Sequence, residues 1–73
     1  MRINDAAEAV RILKGKLSEL NINPEYITVS NIEQKDGKWI IEFEYLFRTY
    51  VAELDSEGRL LSLKSKLPVL IKG

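Results

Sequence analysis

Alternation along residues 38–47, KWIIEFEYLF, constrains this chain more than any other stretch. On an extended backbone Trp39, Ile41, Phe43, Tyr45 and Phe47 fall on one side, and Ile40, Glu42, Glu44 and Leu46 on the other. One side is mainly aromatic; the other carries carboxylates. A segment of this kind is a β-strand with one face on a core and the other toward solvent. It holds most of the aromatic mass of the chain, so it forms the wall of the core.

The flanking segments supply the rest. Residues 5–20 predict an amphipathic helix, with Asp5 as N-cap and Glu8 completing a D-x-x-E capping box. Its apolar stripe is Ala6, Ala9, Val10, Leu13, Leu17 and Leu20. Asn21 and Asn23-Pro24 end it. Residues 26–33 predict a first strand, with Ile27 and Val29 inward and Thr28, Ser30 and Ile32 outward. Asp36-Gly37 signals a hairpin. A loop of Lys35-Asp36-Gly37 sets Ile27 beside Tyr45 and Val29 beside Phe43; a strict two-residue loop sets both among the glutamates. The first keeps one face apolar and is the expected register.

Residues 49–55 predict a third strand with Tyr50, Ala52 and Leu54 inward. A reversal at Phe47-Arg48 pairs Tyr45 with Tyr50, Phe43 with Ala52 and Ile41 with Leu54. Neither Phe nor Arg favours positive φ, so a wider loop or a bulge is expected there. Asp55-Ser56-Glu57-Gly58 is a turn, and residues 59–66 predict a fourth strand with Leu61 and Leu63 inward. The expected fold is α+β, one N-terminal helix packed on a four-stranded antiparallel meander. Residues 1–73 read as one small domain with an apolar, basic tail at 67–73, in which Pro68 interrupts strand pairing.

A chain of 73 residues has little core to draw on, and with neither Cys nor His it has no disulfide, no cysteine–zinc cluster and no imidazole. Compactness must come from packing or self-association. Eleven basic and eleven acidic residues cancel, which argues against a nucleic-acid partner. Met1 leads almost directly into a charged helix, without the pattern of a signal peptide, and no apolar run reaches membrane-spanning length. The expected compartment is the cytoplasm, with no membrane partner. The abundance of Lys, Glu and Ile without Cys is thermophile-like.

Three features invite a chemical reading. Glu42 and Glu44 share a face roughly 7 Å apart, and the expected register sets Glu53 opposite Glu42. Three carboxylates would suit a hard cation, or a ligand-dependent regulator. The plainer reading is a solvated sheet face, with Lys64 or Arg59 partly neutralising it. Asp55-x-Glu57-Gly58 matches the start of a calcium loop, but leucines follow where later ligands belong. Trp39, Phe43, Tyr45 and Tyr50 would make a base-stacking platform, but they share the face that the helix must cover. No nucleophile–base pair and no glycine loop of oxyanion type is present, so no catalytic, cofactor or metal residue is assigned and no enzyme is expected.

Charge is unevenly spread. Glu42, Glu44, Glu53, Asp55 and Glu57 make the centre acidic, while from Arg59 onward every charge is basic. Complementarity between neighbouring strands accounts for this. The sharper reading is a tail of Leu67, Val69, Leu70 and Ile71, with Lys64, Lys66 and Lys72, that docks on another protein or on a second copy.

Tyr50-x-Ala52-x-Leu54-Asp55-x-x-Gly58-x-Leu60, after a helix and a Trp-led strand, resembles the ending of PepSY-type domains. It is also similar to the gas vesicle O protein family in its Trp strand, Tyr strand, L-D-x-[DE]-G-x-L turn and basic tail. The loop at Leu46–Thr49 is shorter than that family's, and the tail is aliphatic where the family's is rich in arginine and tyrosine. The resemblance implies this fold and a binding or inhibitory role, and transfers no functional residue. The expected function is a non-catalytic binding or accessory domain.

Overall fold

The structure is a computed structural model that describes residues 3–66. Helix α1, Ala6–Glu19, is followed by a 3-10 turn at Pro24–Tyr26 and by strands β1, Ile27–Lys35, β2, Lys38–Tyr45, β3, Arg48–Leu54, and β4, Leu60–Lys66. The strands form one antiparallel sheet in the order β1-β2-β3-β4. This is the α+β meander expected from the sequence.

Capping explains where α1 starts and stops. The Asp5 carboxylate accepts from the Glu8 N–H at 2.8 Å, and the Glu8 carboxylate accepts from the Asn4 N–H at 2.9 Å. The box thus reaches one residue further back than usual. At the other end Asn21 turns left-handed, with φ 66°, and its N–H donates to the Ser18 carbonyl. The Ile22 N–H donates to the Leu17 carbonyl at 2.9 Å. This is a Schellman ending, in which Asn takes the position usually held by Gly.

Only part of the expected stripe is buried. Ala9, Leu13 and Leu17 are inaccessible, with Ile12 packed beside them, while Ala6 and Leu20 are exposed. The stripe is narrower at both ends: Ala6 is the first residue of the helix, and Leu20 is its C-cap, one residue past the last turn that buries Leu17. Ile3 adds a buried residue from outside the helix, held by its N–H donating to the Ser56 carbonyl at 2.8 Å.

The first hairpin corrects the expected loop. Asp36 and Gly37, with φ 53° and 76°, make a two-residue turn flanked by the Lys35–Lys38 pair. Yet Ile27 faces Tyr45 and Val29 faces Phe43, as the apolar face demands. A bulge reconciles the two. Ser30 is the extra residue between the pairs Val29–Phe43 and Asn31–Glu42, and its hydroxyl donates to the Glu42 carbonyl at 3.2 Å. The bulge changes the phase of the strand. Ile32, expected to face outward, therefore packs on the core opposite Ile41, and Asn31 sits by Glu42.

The second hairpin is tighter than expected. Leu46 and Phe47 form a two-residue turn with φ 51° and 68°. Tyr45 consequently pairs with Arg48, Phe43 with Tyr50, Ile41 with Ala52 and Trp39 with Leu54. The register differs by two residues from the expected one. A shift of two preserves the faces, so Tyr50, Ala52 and Leu54 still lie on the core side. Phe43 and Tyr50 stack, with centroids 5.5 Å apart.

The third turn is held by Asp55. Its carboxylate accepts from the N–H groups of Glu57 and Arg59, both at 2.9 Å, and from the Arg59 guanidinium at 2.6 Å. Gly58 has φ 91°, and a Cβ there would lie 3.2 Å from Ile12, so conformation and space both call for Gly. A bulge in β4 leaves Leu61 exposed instead of inward; Leu60 packs on the core in its place, and Leu63 packs there as expected.

Phe43, Ile41, Leu54, Leu13 and Leu17 are the largest fully buried side chains. Phe43→Ala is expected to cost about 3–5 kcal/mol, comparable with the total stability of a small domain. A thermal melt should show the variant without a cooperative transition. A melting temperature within a few degrees of wild type would contradict the face assignment.

The N–H of Arg59, above all, holds the Asp55 carboxyl below its ordinary pKa; the Arg59 guanidinium and the Glu57 N–H add to this, and partial desolvation opposes it. A depressed folded pKa stabilises above the unfolded value and is lost as pH falls through the folded one. Asp55→Asn should therefore melt lower than wild type at neutral pH. The gap should close in acid when melts are compared between about pH 7 and about pH 2.

Candidate functional site

Two surfaces stand out, and the first holds the carboxylates expected to act together. The first is the sheet face away from α1. Glu42 and Glu44 lie there, but the observed register places Val51, not Glu53, opposite Glu42. Glu53 is paired with Ile40 on one side and Ser62 on the other. The expected facing pair of carboxylates is thus corrected, because the tight turn at Leu46-Phe47 slides β3 by two residues. Lys66 Nζ lies 3.3 Å from the Glu42 carboxylate, reaching across β3. Among the described residues no group of three or more acidic side chains is arranged to hold a metal ion. Half-buried Ile40 and Val51 divide the carboxylates.

Lys64 and Lys66 are exposed on β4. Leu67, Val69, Leu70, Ile71 and Lys72 lie outside the described residues. The role of Lys66 is now partly legible: it neutralises the acidic face of its own sheet.

The second surface was not anticipated. Leu20, Tyr26, Leu46 and Phe47 are exposed, and the topology gathers them at one end of the molecule. Tyr26 precedes Ile27, which pairs with Tyr45, which precedes the Leu46-Phe47 turn. Leu20 caps α1 just before the connection to Tyr26. Phe47 stands wholly in solvent, with 106% relative exposure. The turn also breaks a local rule. Both central residues are left-handed, a conformation suited to Asn-Gly and costing other L-residues roughly 1–2 kcal/mol each. The signal was present in the sequence as a pair of bulky residues at a position that demands turn chemistry. By propensity alone that pair predicts a wider loop.

Two further features carry no chemistry. A shallow open depression at the start of α1 is lined by Asn4, Asp5, Ala7, Glu8 and Arg11; Asp5 and Glu8 are committed to capping there. The Trp39 indole N–H is buried without a hydrogen-bond partner among the described residues. No helix among them is long and apolar enough to cross a membrane.

Compared with protein-family models, curated proteins and solved structures, the chain matches none.

The acidic face makes a direct test. Glu42→Gln with Glu44→Gln should shift stability by no more than about 1 kcal/mol, since the Glu42–Lys66 pair is exposed. Micromolar calcium or magnesium should leave the amide spectrum of wild type unchanged. A cation-dependent shift that the double variant abolishes would turn this face into a binding site.

Proposed function

We propose that this chain is a non-catalytic binding or accessory domain that engages another protein through the Leu46-Phe47 end of its sheet. The observation carrying this reading is the turn itself. Its backbone is unfavourable for both residues, and its side chains are out of the core. Folding gains nothing from placing Leu and Phe there instead of Asn and Gly. Local conformational cost concentrated with exposed apolar area is characteristic of contact sites. Leu20 and Tyr26 add exposed apolar area at the same end of the molecule, and Phe47 supplies an aromatic anchor of the kind that dominates interface energetics.

The PepSY-type likeness in the order of elements supports the same role, and the cytoplasm is the proposed compartment. The acidic face supports a regulatory, ion-dependent role less well, because Lys66 already engages Glu42 and the third carboxylate is out of register.

The test is affinity capture from the native cell with three baits: wild type, Leu46→Asn with Phe47→Gly, and Glu42→Gln with Glu44→Gln. The turn variant keeps the hairpin, since Asn-Gly favours this turn. A partner held by wild type and by the acidic-face variant, but bound at least about thirtyfold more weakly by the turn variant, is the expected result for a hot-spot residue. A partner lost only with the acidic-face variant would overturn the reading.

A further inference from the structure

β4 is an outer strand. One side of it pairs with β3, and among the described residues no strand lies on the other. Past its bulge, residues 62–66 run in unbroken register against residues 49–53. The free side of this run presents a regular row of backbone amides and carbonyls.

The two faces beside that row differ in chemistry. Lys64 and Lys66 are exposed on the outer face, level with Val51 and Thr49. Arg59 is held by Asp55, and Lys66 by Glu42; among the described residues no carboxylate engages Lys64. On the face of α1, Leu60 and Leu63 are half-buried. So is Ile12, which lies on this flank of the helix, against Gly58. We propose that β4 takes a fifth strand from another protein, an extended segment that alternates carboxylates on the outer face with aliphatic residues on the face of α1.

Backbone hydrogen bonds hold such a strand, and its alternate side chains select it. Carboxylates opposite Lys64 and Lys66 form cross-strand ion pairs. Aliphatic residues opposite Leu63 and Ser65 continue the inner face and cover apolar surface that the helix leaves open. A second copy fits less well. Aligning two β4 strands antiparallel over residues 62–66 sets the two Lys64 side chains against each other, and like charges so placed repel. β1, the other outer strand, offers no equivalent. It is broken at Ser30, and in its longer run, residues 31–35, Glu33 and Lys35 share a face, so neither charge prevails. The β4 edge is distinct from the Leu46-Phe47 turn and does not depend on the docking reading above, although it ends level with Thr49, two positions from Phe47.

The test uses the full chain, isotope-labelled, and two capped peptides, Glu-Val-Glu-Val-Glu and Lys-Val-Lys-Val-Lys. The acidic peptide should shift the amide signals of residues 62–66 saturably and slow their hydrogen exchange, which a ladder does and loose charge attraction does not. Lys64→Glu should weaken the acidic peptide at least about threefold and strengthen the basic one by a similar factor. Leu46→Asn with Phe47→Gly should leave both affinities unchanged. Shifts without slowed exchange at β4, equal affinity of wild type for the two peptides, or indifference to Lys64→Glu would each overturn the proposal. Loss of peptide binding in the turn variant would overturn it as well, by moving the contact to the apolar end. Protection of β4 that grows with protein concentration, without peptide, would make a second copy the occupant and overturn it too.

Discussion

Parity of side-chain direction along β2 is the constraint on which the structure depends. Trp39, Ile41, Phe43 and Tyr45 face α1, and Glu42 and Glu44 face away. A neighbour displaced by one residue would bury carboxylates or expose aromatics. Each hairpin must therefore arrive in phase. The turn at Asp36-Gly37 alone would not deliver this, and the bulge at Ser30 restores it. The turn at Leu46-Phe47 delivers it directly, with an even displacement. The core is then built by Ala52 and Leu54 from β3 and by Ala9, Leu13 and Leu17 from α1.

Much of this was legible in the residues. Alternation gave the central strand and its faces over 38–45, D-x-x-E gave the start of the helix, and Asp36-Gly37 gave a hairpin; Phe47, expected on the core face, stands exposed in the turn. What escaped were phase changes. Ser30 and Leu61 look like ordinary strand residues, because a bulge is recognised by what it does to a partner strand rather than by its own side chain. Ile32 and Leu61 therefore take the faces opposite to those that simple alternation predicts. Leu20 falls on the helix stripe by periodicity, but periodicity does not report that the helix stops at Glu19 and leaves Leu20 as its C-cap.

The candidate site was less legible, and its illegibility has a physical cause. Sequence reasoning assumes that each residue suits its local conformation. Leu46-Phe47 does not: its side chains predict a wider loop, and its backbone takes two positive φ angles instead. The acidic face suffered from the same error at one remove: the two-residue slide that follows from the tight turn separates Glu53 from Glu42.

The two bulges share a location with a consequence for how this sheet meets other sheets. β1 and β4 are its outer strands, and each carries one, at Ser30 and at Leu61. An open strand offers a row of unpaired amides and carbonyls to any passing chain. A bulge interrupts the spacing of that row, so an incoming straight strand loses register partway along. The β1 flank thus resists lateral pairing by the same irregularity that keeps its inner face apolar, while the bulge at Leu61 sits at the start of β4.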